Sequence, residues 1–116
     1  MRKENSTNFL NEKDLANNCG MYYTITLIGG RWKISILAAL LDHEVMRYSE
    51  IKTRLTNITE RMLIKQLKEL QDDGLIIRND YKEVPPRVEY SISKKGRSLE
   101  KLLIEMQQWG KKHSKE

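Results

Sequence analysis

The chain is 116 residues long and carries 21 Lys and Arg against 16 Asp and Glu, a net charge of +5. A length of this order favours one domain that buries only about two-thirds of its unfolded surface. The one cysteine excludes an intrachain disulfide and fits a reducing compartment, no apolar run nears the ~18 residues of a membrane span, and residues 1–6 lack the apolar stretch of a signal peptide, so a cytoplasmic protein with no membrane partner is expected.

Residues 1 to about 12 are polar and Asn-rich, with Phe9 and Leu10 as apolar anchors, and read as a loose arm or short docking helix. Residues 21–28 read as a short apolar helix, with Met21, Tyr22, Ile25 and Ile28 at helical spacing. Gly29-Gly30 ends it. No Gly-x-Gly-x-x-Gly or Walker lysine surrounds this pair, so it reads as a turn and not as a phosphate cradle. Residues 32–41 form a second helix with the stripe Trp32, Ile36, Leu37 and Leu40. An extended piece at 45–48 can pair with a later hairpin.

Ser49 is placed to cap the next helix, whose buried edge is Ile51 and Leu55. A turn at 56–58 leads to Thr59, the cap of a further helix, with Glu60 near its positive end. Gly74 stops that helix. Residues 75–77 and 88–92 are β-branched and aromatic and read as strands, and Pro85-Pro86 between them must be loop. Ser93 caps a last helix with the stripe Leu99, Leu102, Leu103, Met106 and Trp109.

Helix, tight turn, helix, strand, loop, strand is the order of a winged helix-turn-helix, which offers one helix to the DNA major groove and a hairpin to the flanking backbone. The expected fold is mainly α with a small β-hairpin, dimeric through its terminal helices. Residues 1–20 would be the arm, 21–92 the DNA-binding core with its wing, and 93–116 the dimerisation helix.

Positive charge favours polyanionic partners, and its distribution sharpens the point. Residues 47–68 hold six basic side chains (Arg47, Lys52, Arg54, Arg61, Lys65, Lys68) against two acidic ones. On the helix after Thr59, Leu63, Leu67 and Leu70 lie within about 60° of one another at 100° per residue, and Arg61, Lys65 and Lys68 lie opposite. A helix seated in a groove must be apolar behind and cationic in front. The candidate DNA contacts are therefore Ser49, Thr59, Arg61, Lys65, Gln66 and Lys68, with Lys82 and Arg87 of the hairpin on phosphates. Each has a plainer alternative: an exposed helix face usually carries Lys and Arg, and Arg87 can simply pair with Glu83 or Glu89.

The last helix has more apolar surface than a terminal element needs. Leu99, Leu102, Leu103, Met106 and Trp109, with Leu10, are candidate dimer contacts; packing within the chain is the alternative. Cys19 is either a reactive thiol or an inert small residue. His43 and His113 are isolated, and neither a metal-ligand spacing nor a catalytic constellation is present. No enzyme, metal or cofactor is expected.

From Cys19 to Gly110 the chain resembles the HxlR-type family of bacterial winged helix-turn-helix transcriptional regulators, which are MarR-like. The resemblance rests on Leu27-Ile28-Gly29-Gly30-Arg31-Trp32, Arg47-Tyr48-Ser49-Glu50-Ile51, Ile58-Thr59-Glu60-Arg61-Met62-Leu63 and Leu67-Lys68-Glu69-Leu70. Its most specific part is Glu83-Val84-Pro85-Pro86-Arg87-Val88-Glu89-Tyr90-Ser91-Ile92. The resemblance implies a homodimer on an inverted-repeat operator, read by the helix beginning at Thr59. It also implies a redox or electrophile sensor at Cys19 in some members, or a small-ligand switch. The family usually has Pro after this cysteine, and this chain has Gly20. The competing expectation is a winged-helix module that binds protein and no specific DNA.

Overall fold

The computed structural model describes residues 19–114. Helix α1 (Cys19–Ile28) meets α2 (Arg31–His43) at a bend of 77°. There follow β1 (Val45–Arg47), α3 (Tyr48–Arg54), α4 (Glu60–Asp72), β2 (Ile76–Asp80), β3 (Val88–Ile92), α5 (Lys94–Arg97) and α6 (Glu100–His113). The α1–α2 bend falls where the sequence places it. Gly30 has φ 95°, a conformation that an L side chain rarely adopts.

Helix α2 is the hub. Ile36, Leu37 and Leu40 are fully buried on it, and it packs against α3, α4, α6 and the sheet. Ile51 of α3, Leu63 and Leu70 of α4 and Leu75 complete the centre. Burying each such side chain contributes about 1.5–3 kcal/mol. Leu55 and Ile58, in the connection between α3 and α4, are buried in the same cluster.

The sheet has three antiparallel strands in the order β1-β3-β2. Met46 pairs with Tyr90, and Tyr90 with Arg78, so the extended piece after α2 does join the hairpin. Met46 and Tyr90 turn inward onto the core; Val45 and Ile77, each paired with Ser91 in the next row, stay exposed. At the far end of β3 the chain packs tightly: a Cβ on Gly96 would collide with the Leu75 carbonyl and with Ile92, so α5 is pressed against the sheet only because this residue has no side chain.

Four local expectations are corrected. Ser49 does not cap α3. The cap lies two residues earlier, because the Glu50 carboxylate accepts the Arg47 N–H at 2.7 Å and fixes Arg47 as the boundary. Ser93 does not cap the long last helix. Its Oγ accepts the Gly96 N–H at 2.9 Å and starts the short α5, and α6 begins afresh at Glu100 after a tight turn at Ser98-Leu99. The first strand of the hairpin runs from Ile76 to Asp80, beyond residue 77, since β3 offers it five partners in register. In α1 the residues turned to the core are Leu27 and Ile28, while Met21 and Ile25 are exposed. The N-terminal arm, with Phe9 and Leu10, lies outside the described residues.

Candidate nucleic-acid interface

The connection from α3 to α4 is short and closed on itself. The Ile58 N–H donates to the Leu55 carbonyl at 2.9 Å, and both side chains are buried, so α4 leaves the core at a defined angle. Thr59 then caps it, its Oγ1 accepting the Met62 N–H at 3.1 Å. A cap of this kind stabilises by about 1 kcal/mol and leaves the hydroxyl proton free to donate outward. Tyr48 stands close to this start. Burial, and then the Glu60 carboxylate, push its phenol above the ordinary 10.0.

Helix α4 is sharply divided. Leu63 and Leu70 are 0% exposed and Leu67 2%, whereas Arg61, Lys65 and Lys68 are exposed. Among the described residues Arg61 and Lys65 have no ion-pair partner, and Lys68 Nζ lies 3.2 Å from Asp72 Oδ1 one turn on. An exposed pair of that kind is worth only a few tenths of a kcal/mol, so a phosphate can displace Asp72. Gln66 is half-buried at the edge of the face, its amide donating to Met62 Sδ at 3.2 Å. At the side of the helix, Lys33 Nζ reaches Glu69 Oε1 at 2.8 Å and ties α2 to α4. The Lys33 hydrogen bond holds the Glu69 carboxyl below its ordinary 4.5, against the opposing effect of burial.

The same face carries a residue that a reading for charge overlooks. Ile64 is 59% exposed. Counted around the helix at 100° per residue it lies about 40° from Lys68 and about 60° from Arg61, and that spacing alone could have marked it. Ser49 is set apart from this group. It opens onto a hollow with His43, Thr53 and Arg54, and none of that lining comes from α4.

The wing projects beyond the last ladder pair. The Tyr81 N–H donates to the Arg87 carbonyl at 3.0 Å, and residues 82–86 form the tip. Arg87 is held there on three sides: its Nε is 3.2 Å from Glu89, its Nη1 3.5 Å from Glu83, and its guanidinium stacks 4.0 Å above the Tyr81 ring. It braces the tip. Lys82 differs. Its backbone takes the left-handed conformation, φ 54°, with its N–H bonded to Asp80 Oδ1 at 2.9 Å. Its ammonium has no ion-pair partner among the described residues. Val84, beside it, is 99% exposed.

The terminal helices carry the remaining predicted residues. Leu99 and Leu103 pack against the core, whereas Leu102, Met106 and Trp109 are exposed. Trp109 stacks on His113 with ring centroids 4.2 Å apart. Cys19 is exposed, and among the described residues nothing lies within 4 Å of where a Cβ on Gly20 would stand. Among the described residues no three His, Cys, Asp or Glu side chains gather as a metal site, and no single helix is long and apolar enough to cross a membrane.

Known proteins share this arrangement. The HxlR-like helix-turn-helix family model matches residues 27–116. The chain is 52% identical over 88 residues to the uncharacterized HTH-type transcriptional regulator YdzF of Bacillus subtilis (strain 168), covering 76% of this chain and 81% of YdzF. Among solved structures it is similar to the redox regulator HypR in its oxidized form, with a TM-score of 0.78 and 38% identity over 84% of this chain and all 100% of HypR. It is also similar to the reduced form of the transcriptional regulator YodB from B. subtilis, with a TM-score of 0.73 and 31% identity over 83% of this chain and 93% of that one. These relatives are regulators, not enzymes. The chain belongs to the HxlR-like helix-turn-helix family and is a DNA-binding transcriptional regulator built as a winged helix-turn-helix.

Proposed function

We propose that two copies of this chain bind an inverted-repeat operator in the cytoplasm, each laying α4 in the major groove and its wing on the flanking backbone. The observation that carries this reading is the division of α4: a back buried to completion and a front whose Arg61 and Lys65 have no ion-pair partner among the described residues. Arg61, in the first turn, is placed to donate a bidentate pair to guanine O6 and N7. Lys65 and Lys68, the Thr59 hydroxyl and Lys82 neutralise or bond phosphates, and Ser49, Gln66 and Arg87 give secondary contacts. The exposed apolar residues of α6 join the copies, with residues 21–92 reading DNA and 93–116 forming the junction. Leu102, Met106 and Trp109 lie at its centre, Leu99 and Leu103 at its edge, and Leu10 joins from the arm.

Selection from a pool of random duplexes, followed by footprinting, tests this. Two protected half-sites are expected about one helical turn, 10–10.5 base pairs, apart or a multiple of it. The logarithm of affinity should fall with log salt by about 0.9 per phosphate neutralised. Affinity that is indifferent to salt would sink the reading. A module that binds an acidic protein instead would give no footprint on any duplex.

Exposed Cys19 and the likeness to oxidized HypR favour a thiol switch on top of this binding. Two Cys19 thiols, one from each copy, would lose two protons and two electrons to a hypochlorite or quinone oxidant and form an intersubunit disulfide. Operator affinity unchanged after treatment with hypochlorite or a quinone, or changed equally in Cys19→Ser, removes this version.

A further inference from the structure

From the position of Ile64 we infer that this side chain reads the 5-methyl group of a thymine in the major groove. The inference rests on α4 being the reading helix. Ile64 is 59% exposed in the second turn of α4, on the solvent half of a helix whose buried half is already filled by Leu63, Leu67 and Leu70. A branched apolar side chain gains nothing from water there and little from helix propensity, where Ile ranks below Lys, Gln and Glu. Its neighbours on the helix surface are Arg61, three residues before, and Lys68, four residues after. These cations bring α4 to a polyanion, so the surface that covers Ile64 is nucleic acid.

Within the major groove only one base presents an apolar group, the C5-methyl of thymine. Phosphates and the edges of guanine, adenine and cytosine offer hydrogen-bonding groups that an isoleucine cannot satisfy. Burying it against them would strip water from polar atoms without return. Arg61 and Ile64 stand one turn apart on the same side of the helix, so the guanine that takes Arg61 and the thymine that takes Ile64 fall close together in one half-site. Ile64 disfavours guanine, adenine and cytosine at the second position by the cost of an uncompensated polar edge.

Replacing thymine by deoxyuridine removes the methyl and leaves every hydrogen-bonding group in place. Operator duplexes are first selected with the full chain, and each thymine is then replaced singly by deoxyuridine. One position per half-site should weaken binding about three- to tenfold. The same replacement should leave the Ile64→Ala variant, whose side chain is too short to reach the base, nearly unaffected, and Ile64→Thr, which keeps the γ-methyl, should retain part of the preference. Ile64 is exposed, so both variants keep the core. If sequence-specific binding is found but no deoxyuridine penalty disappears with Ile64→Ala, the methyl-reading role is wrong and the reading helix stands. If no duplex is preferred over any other, the reading-helix assignment itself fails and takes this role with it.

Discussion

Helices α4 and α6 are both amphipathic, and they spend their apolar faces differently. In α4, Leu63, Leu67 and Leu70 are buried against α2 and the rest of the core, so the exposed surface is the Arg61/Lys65/Lys68 front with Ile64 set into it. In α6 no residue is fully buried. Leu103 packs on the core, but Leu102, Ile104, Met106 and Trp109 face outward. The first helix has used its apolar face inside the chain and offers charge to a partner. The second still offers apolar surface, with Trp109 67% exposed. A soluble monomer seldom leaves such a stripe uncovered. On the proposed function, reading and joining are divided between these helices, and substitutions should separate them.

The largest effect is expected at the back of α4. Leu63→Ala should lower stability by about 2–5 kcal/mol in denaturant titrations, because the cavity it leaves is enclosed on all sides. Trp109→Ala should barely alter the core of one chain, since the indole touches mainly His113 within it. Its cost, about 2 kcal/mol or more if it anchors the junction between copies, should appear as a rise in the dimer dissociation constant by sedimentation. If Trp109→Ala instead lowers stability independently of protein concentration, the contrast between the two helices collapses.

Smaller effects belong to the front. Arg61→Ala should weaken the selected operator by about 1–3 kcal/mol and relax preference at one position per half-site, as read by competition binding. Lys82 should behave otherwise. Its left-handed backbone makes Asn a better substitute than Ala, because Asn tolerates that conformation. Lys82→Asn should weaken all duplexes alike and reduce the salt slope by about one unit. Loss of base preference in Lys82→Asn, or its retention in Arg61→Ala, would reverse the roles of helix and wing.

What the sequence made legible followed from strong local signals. Three leucines at helical spacing behind a Thr59 cap define α4, and Val88–Ile92 alternates toward the core as a strand should. The misplaced boundaries have local causes too. Serine looked like the cap at 49, but the Glu50 carboxylate bonds the Arg47 N–H and moves the start back. The break between α5 and α6 has no Gly or Pro at the turn itself, Gly96 lying inside α5; Ser98 and Leu99 keep near-helical dihedrals and turn through bonds to Lys95 and Gly96. The pairing of Arg87 with Glu83 or Glu89 was legible as the plainer alternative to a DNA contact; its stack on Tyr81 was not, since the ring and the guanidinium meet only when the hairpin closes. Ile64 is marked by its place on the helical wheel between Arg61 and Lys68, but the charge pattern of the basic face does not single it out.

The smallest expected effect tests how α4 is held in place. Lys33 on α2 reaches Glu69 at the edge of α4's exposed face and lowers its carboxyl pKa. A carboxyl whose folded pKa is depressed adds stability above its unfolded value near 4.5, and that addition is lost as pH falls through the lower folded value. Wild type should therefore exceed Glu69→Gln slightly in stability at neutral pH. The gap should shrink steadily below about pH 4.5 as protonation removes the charge in the wild type as well. Operator affinity at neutral pH should change little, because Arg61 and Lys65 keep their charge. A stability gap that is flat from pH 7 to pH 3 would show that Glu69 acts by packing and not by its bond to Lys33. A marked loss of operator affinity with unchanged stability would mean that the α2–α4 tie sets the angle at which α4 is presented.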